Sequence, residues 1–255
     1  MHTIFISKVI LFHHAFVTFA DTMSHFDFRQ FRICHDRCSM KVGTDGVLLG
    51  AWAEVEGAQR ILDIGTGSGL IALMAAQRSK ADVVGIDIHV SSVEQARENV
   101  ENSPYASRVH IEVCDVRSFS PDQNFDCVLS NPPYFEEDLL PPNEVRAGAR
   151  HTQGLPFAEC IANAHRLLCD GGSFQVILPH TAATRFIALC IEQGFSLQRS
   201  TEVHTVSHKP PRRILLHFVK TLQLQNPVQR NSITLTAADG SRSEDYKHLT
   251  QDFYL

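Results

Sequence analysis

Between Arg60 and Lys220 short apolar runs alternate with amphipathic stretches, and this rhythm restricts the fold more than any other feature of the chain. Such alternation specifies strand, crossover helix and parallel strand in succession, an α/β fold with a mostly parallel sheet. RILDI (60–64), ADVVGID (81–87), RVHIEVCD (108–115), FDCVLS (125–130) and SFQVILP (173–179) read as its strands. LIALMAAQ (70–77) reads as a helix after a glycine turn. Ser91 and Glu94 form a capping-box pattern that opens a helix running to about Glu101. Pro156 suits a first helical turn, and Phe157, Cys160, Ile161, Ala164, Leu167 and Leu168 share one face up to Gly171-Gly172. Thr181 is read as the cap of a further helix that Gly194 ends. SLQRSTEVHTV (196–206) and RILLHFVK (213–220) alternate with period two around KPPRR, which predicts an antiparallel pair joined by a basic loop.

The flanks are predicted to be appendages. FDFRQFRICHDRCSMKVGTDG (26–46) alternates as a small hairpin, and ITLTAADGSRSEDYKHLTQDFYL (233–255) reads as a turn at Asp239-Gly240 plus a closing helical turn. Residues 23–255 are thus expected to form a single domain: hairpin about 26–46, core about 50–222, C-terminal appendage about 223–255. Ile4–Ala20 has the shape of a secretory signal, but His13 and His14 interrupt it and Met23 follows at once. Residues 1–22 are therefore expected to be an apolar extension dispensable for the fold.

At 255 residues, 44% hydrophobic and 20% charged, the chain can bury a sizeable core, which excludes a disordered or disulfide-stapled scaffold. No uninterrupted apolar run beyond the N-terminus is long enough to suggest a multi-span membrane protein. A net charge of −5 denies it the uniformly basic field of a non-specific nucleic-acid binder. Positive charge is instead local: residues 185–230 hold seven cations against two anions. Seven cysteines, an odd number lying mostly in apolar stretches, point to reduced thiols and a cytoplasmic location. Cys34 and Cys38 lack the second pair or nearby His-x-His that a zinc site needs, so no metal is expected.

The chemistry begins at Asp63-Ile64-Gly65-Thr66-Gly67-Ser68-Gly69, where a strand becomes a helix. Glycines there let backbone approach a ligand, and the helix start offers free N–H groups. The Gly-x-Gly-x-Gly spacing differs from the Gly-x-Gly-x-x-Gly of dinucleotide sites, which disfavours a nicotinamide oxidoreductase. Asp87 ends the second strand, where its carboxylate can accept from two ribose hydroxyls. Asp115 ends the third, placed for the amino edge of an adenine. All three lie at carboxyl ends of successive strands, the edge where open α/β sheets bind ligands.

After the fourth strand comes Asn131-Pro132-Pro133-Tyr134. Two prolines fix φ near −65° and remove N–H groups, so nearby carbonyls are rigid acceptors. The Asn131 amide oxygen and the Pro132 carbonyl can both accept from an NH₂ group, while Tyr134 offers a face on which a base can stack. A trigonal NH₂ is a poor nucleophile, and in-line positioning against an already activated electrophile answers that without a strong base.

DIGTGSG, the acid of GIDI (85–88) and the acid of VCDV (113–116) resemble the nucleoside-binding motifs of class I S-adenosylmethionine-dependent methyltransferases. The resemblance implies a Rossmann-like seven-stranded sheet whose last strand is antiparallel. It also implies site roles. Asp63, Gly65, Gly67 and Gly69 face the methionine portion, Asp87 holds the ribose, Ile88 packs on the adenine, and Asp115 with Val116 contacts its edge. Thr44 and Asp45, in the run KVGTDG (41–46), either contact the cofactor or form a surface turn. Asn-Pro-Pro-Tyr resembles the motif of methyltransferases acting on planar amino nitrogen. From Phe28 onward, including FRQFRICHDRCSMKVGTDGVLLGAWA, SNPPYF and DFYL, the chain resembles the bacterial methyltransferases of tRNA adenine N6. That implies adenosine 37 beside the anticodon of valine tRNA as acceptor, with Lys209, Arg212 and Arg213 meeting phosphates. Glutamine methylation of release factors and methylation of a ribosomal RNA amino group are the alternatives.

Overall fold

The computed structural model describes residues 25–38, 41–132, 155–221 and 227–254. Strands β1 (His25–Asp27) and β2 (Arg32–Cys34) form an antiparallel hairpin, followed by helix α1 (Thr44–Trp52). The core then runs β3 (Arg60–Ile64), α2 (Leu70–Arg78), β4 (Asp82–Asp87), α3 (Val90–Glu101), β5 (Val109–Val113) and β6 (Phe125–Ser130). It continues with α4 (Phe157–Leu167), β7 (Leu168–Pro179), α5 (Ala183–Glu192), β8 (Phe195–His204) and β9 (Arg213–Lys220). Strand β10 (Gln229–Thr234) and helix α6 (Glu244–Thr250) close the chain.

The large sheet has the order β10-β8-β9-β7-β6-β3-β4-β5 among the described residues. β9 runs antiparallel to both β7 and β8, and every other pairing is parallel. Four of five residues of β3 are buried, as expected for a central strand covered on both faces. One face carries α1, α2 and α3 together with Tyr246 and Phe253 of the tail. The other carries α4 and α5 over a cluster of phenylalanines, in which the Phe157 and Phe186 rings meet edge to face at 5.0 Å. No described helix is long and apolar enough to cross a membrane.

The sheet has eight strands rather than the seven the motifs imply. β10, QRNSIT, is polar and mostly exposed, so no apolar alternation announces it; it joins the edge through backbone pairing with β8. The hairpin is shorter than expected and gives way to α1 at Thr44, inside the stretch read as strand-like. α1 is buried on nearly every side from Gly46 to Trp52, so it lacks the one-sided apolar stripe that betrays a helix. α3 starts at Val90 without the Ser91 cap, because Asp87 Oδ1 accepts the His89 N–H at 2.9 Å and turns the chain earlier. Thr181 sits in a single 3₁₀ turn, His180–Ala182, ahead of α5 and caps nothing. Gly171 and Gly172 lie within β7, where a register shift between Phe125↔Leu168 and Cys127↔Ser173 loops out the intervening residues. The tail turn is as expected: Gly240 adopts φ 84°, and Ser243 caps α6 by accepting from the Tyr246 N–H.

Candidate active site

Ile64, Ile86 and Ser130 lie side by side in register at the carboxyl ends of β3, β4 and β6. From there the loop to α2 folds over β4. The N–H groups of Gly65 and Thr66 donate to the Ile86 carbonyl at 2.9 and 3.0 Å, and that of Gly67 donates to Asp87 Oδ2 at 3.0 Å. Gly65 and Gly67 have φ of 74° and 56°, and a Cβ at either would meet nothing within 4 Å. Their open sides front a cavity. Gly69, also at positive φ, is different: a Cβ there would stand 3.3 Å from that of Ala96, so its absence lets α3 pack close.

The cavity has a volume of about 840 Å³, within the range of small-molecule sites. Its walls are the glycine loop, the end of β4 from Ile86 to His89, Cys114 to Arg117, Ser130 to Pro132, and the segment from Lys41 to Gly46. Gly65, Gly67, Asp87, Ile88, Asp115, Val116, Asn131, Pro132, Thr44 and Asp45 are thus brought together, although they come from five separate segments. Ile88 is 49% exposed, an apolar face without a protein partner large enough to bury it. Asp115 is gripped by Arg117, whose Nε lies 2.9 Å from both carboxylate oxygens, and this hydrogen bonding holds the carboxyl below its ordinary value. Ser130 donates to the Ile64 carbonyl at 2.9 Å and so fixes the strand end that presents Asn131.

Asp63 and Gly69 are not part of the cavity lining. Asp63 stands behind the loop, fully buried, with Oδ2 accepting from the Thr66 hydroxyl at 2.7 Å and Oδ1 lacking a hydrogen-bond partner. Pro133 and Tyr134 lie outside the described residues. Lys209 and Arg212 are exposed on the β8–β9 loop. Arg213 is not aimed at solvent in the same way: its Nε donates to Asp45 Oδ2 at 2.7 Å. Sequence reasoning did not single out Cys38, His89, Cys114, Arg117 or Ser130 as cavity residues. Arg117 was accessible in principle, since an arginine two residues after an acid at a strand end can fold back on it.

The methyltransferase domain family matches residues 56–224. A tRNA1(Val) (adenine(37)-N6)-methyltransferase of Phocaeicola vulgatus is 44% identical over 231 residues, covering 91% of this chain and 97% of that protein. The chain belongs to this methyltransferase family. A relative of the same name from Trichodesmium erythraeum is 41% identical over 237 residues, covering 91% of this chain and 98% of its own length. Among solved structures, a predicted O-methyltransferase of Agrobacterium tumefaciens superposes with a TM-score of 0.64 at 20% identity, covering 82% of this chain and 96% of that one. That likeness shows the shared fold.

Methyltransferases of this family draw the methyl group from S-adenosylmethionine, and the cavity residues fit that molecule. Each Asp87 oxygen accepts one backbone N–H and keeps further acceptor capacity, as a vicinal diol requires. The glycine loop leaves open space where side chains would otherwise stand. Among the described residues no group of three or more His, Cys, Asp or Glu side chains is placed to hold a metal ion.

Burial pushes the Asp63 carboxyl up to about 7, against the lowering effect of the Thr66 hydroxyl and the Ala72 N–H; the charge of Asp87 adds to the rise. In the unfolded chain the group titrates near 3.8. Between roughly pH 4 and 7 the folded state therefore keeps a proton that the unfolded state has released, and stability falls as pH rises through that window. Relative to Asp63→Asn, the unaltered chain is expected to lose on the order of a few kcal/mol across it. Urea unfolding of both at several pH values checks this; a pH-independent difference would show an unshifted carboxyl.

Proposed function

We propose that this chain methylates N6 of an adenine in RNA, namely adenosine 37 in the anticodon loop of valine tRNA. The observation that carries the reading is Asn131-Pro132 at the end of β6, walling the same cavity as the glycine loop and Asp87. The names of the curated relatives support the acceptor. S-adenosylmethionine supplies a methyl carbon already activated by the sulfonium sulfur. The chain's own work is then positioning.

In this reading Asp87 accepts from the ribose hydroxyls, Ile88 lies against the donor's adenine, and Asp115 with Val116 meets its edge. Gly65 and Gly67 leave room for the methionine portion, Thr44 and Asp45 close over it, and Asp63 and Gly69 support the loop from behind. The Asn131 amide oxygen and the Pro132 carbonyl accept from the target NH₂ and hold its nitrogen in line with the methyl group. Pro133 would stiffen the motif and Tyr134 would stack on the base. The methylated nitrogen sheds its proton to water, so no side chain is assigned as general base.

The acceptor is held from the same edge. β9 begins at Arg213 opposite Pro179, the last residue of β7, so the loop bearing Lys209 and Arg212 stands at the carboxyl edge of the parallel strands. An anticodon-loop base lies outside continuous duplex and turns into a site at low cost. A single domain over 23–255 belongs to the proposal. It is supported by the hairpin docking on the tail, where the Arg29 N–H donates to the Phe253 carbonyl. So does a cytoplasmic location, where the acceptor is found. The test offers methyl-labelled donor to total unmodified RNA and to release factors, isolates the labelled species, maps the label to an oligonucleotide by base-specific nuclease and then identifies the nucleoside. N6-methyladenosine at position 37 of valine tRNA is expected. Label in a release factor or in ribosomal RNA would overturn the assignment.

A further inference from the structure

We infer that Arg213 is a positioning residue for donor binding, holding the Asp45 carboxylate and with it the start of α1 against the cavity. The inference rests on the reading above that this cavity takes the donor. It reassigns a residue whose sequence context, KPPRR, points to phosphates.

Five observations carry it. The Arg213 Nε donates to Asp45 Oδ2 at 2.7 Å across 168 residues of sequence, so the pair joins the β9 end of the sheet to the N-terminal segment. Both side chains are partly shielded, at 33% and 23% exposure, which weakens screening by salt. α1 starts without a side-chain cap: Gly43 is extended, and only its backbone carbonyl takes part, accepting the Val47 N–H at 3.3 Å. Asp45, in the first turn, is the acidic group that complements the positive end of the helix. Finally, Lys41 to Gly46 all line the cavity, yet Lys41, Gly43 and Thr44 are exposed and the helix is buried only from Gly46 onward. Core packing therefore anchors α1 from Gly46 onward and reaches the rest of the wall only through half-buried Val42, while Gly43 to Asp45 depend on the tether.

The tether has a firm base. Arg213 Nη1 also donates to the Arg212 carbonyl at 3.2 Å, and that carbonyl accepts the His180 N–H at 3.1 Å. The Arg212 N–H in turn donates to the Val203 carbonyl at 2.9 Å. Arg213 is held at the root of the basic loop while Lys209 and Arg212 project from it. Division of labour follows: the loop residues act on RNA, and Arg213 acts on the donor side.

Calorimetric titration of the full chain with S-adenosylmethionine, alongside filter binding of unmodified valine tRNA, tests this. Arg213→Ala is expected to raise the donor Kd about tenfold, with the donor KM rising in parallel and kcat and the tRNA KM within about twofold. Arg213→Lys, which keeps the cation, stays within about threefold of the unaltered chain. Adding Arg213→Ala to Asp45→Ala, which removes the acceptor altogether, costs nothing beyond Asp45→Ala alone. Lys209→Ala with Arg212→Ala does the opposite: donor affinity holds, tRNA affinity falls, and the salt slope of log K flattens by about 1.4 to 1.8. Two outcomes overturn the inference: a donor Kd unmoved by Arg213→Ala, or an Arg213→Ala variant that loses tRNA affinity and salt slope as the loop pair does. If the unaltered chain fails to bind the donor at all, both this inference and the proposed function fall. Donor binding that is indifferent to Arg213 removes the inference alone.

Discussion

Asn131→Ala is expected to slow single-turnover methyl transfer by at least about 10²- to 10³-fold while the donor Kd stays within about threefold. The backbone survives the change. Ser130 still donates to the Ile64 carbonyl, and Pro132, buried with its φ set by its own ring, keeps the chain on course. What disappears is one of two acceptors for the target NH₂. An amine held by a single acceptor swings about that bond, and a nitrogen lone pair out of line with the methyl carbon does not react productively. Asn131→Asp retains an oxygen at the same place and is expected to keep more activity than Asn131→Ala. A donor Kd that rises together with the loss of turnover would point instead to collapse of the cavity wall. Unchanged turnover would remove Asn131 from the reaction.

Asp87→Ala is expected to raise the donor Kd by about 10²-fold or more, the largest effect on binding that any one side chain here should show. Two contributions add. The carboxylate would accept charge-assisted hydrogen bonds from two ribose hydroxyls, and it already accepts the N–H groups of Gly67 and His89 at 3.0 and 2.9 Å. Removing it frees the glycine loop and the turn into α3 at once, which also lowers stability by about 1–2 kcal/mol. A deoxyribose analogue of the donor separates the two parts. It should bind the unaltered chain more weakly than the donor does, and in Asp87→Ala should lose only the smaller part that comes from the freed loop and turn. Equal loss of donor and analogue on substitution would mean that Asp87 serves the loop and not the sugar.

The parallel core was legible because each strand is short, apolar and bounded by breakers, and because a buried parallel strand needs those residues at both faces. The β8 and β9 pair is antiparallel as its period-two pattern predicts, although β9, lying between β7 and β8, is buried from Ile214 to Phe218 and the pairing shifts register between Leu197 and Arg199. Two elements were opaque for opposite reasons. α1 is buried on nearly every side from Gly46 to Trp52, so its sequence carries no helical period, and β10 is polar but for Ile233 and mostly exposed, so its sequence carries no strand period. Ser91 and Thr181 looked like caps, yet in both places a turn formed earlier in the chain had already set the helix start.

Within the site, the sequence by itself determined which chemical groups exist and at which strand ends they emerge: the glycine loop, Asp87, Asp115 and Asn131 follow local rules of turn and strand. Only the tertiary structure decided which of them face a common space. Asp63, two residues before Gly65, is fully buried and does not line the cavity, while Asp45, which does, is joined to Arg213 across 168 residues of sequence. Local sequence fixes backbone direction over a few residues. The side a carboxylate faces, and the cation that finds it, depend on helices packed from remote parts of the chain, whose contacts are set by burial of area and not by nearness along the chain.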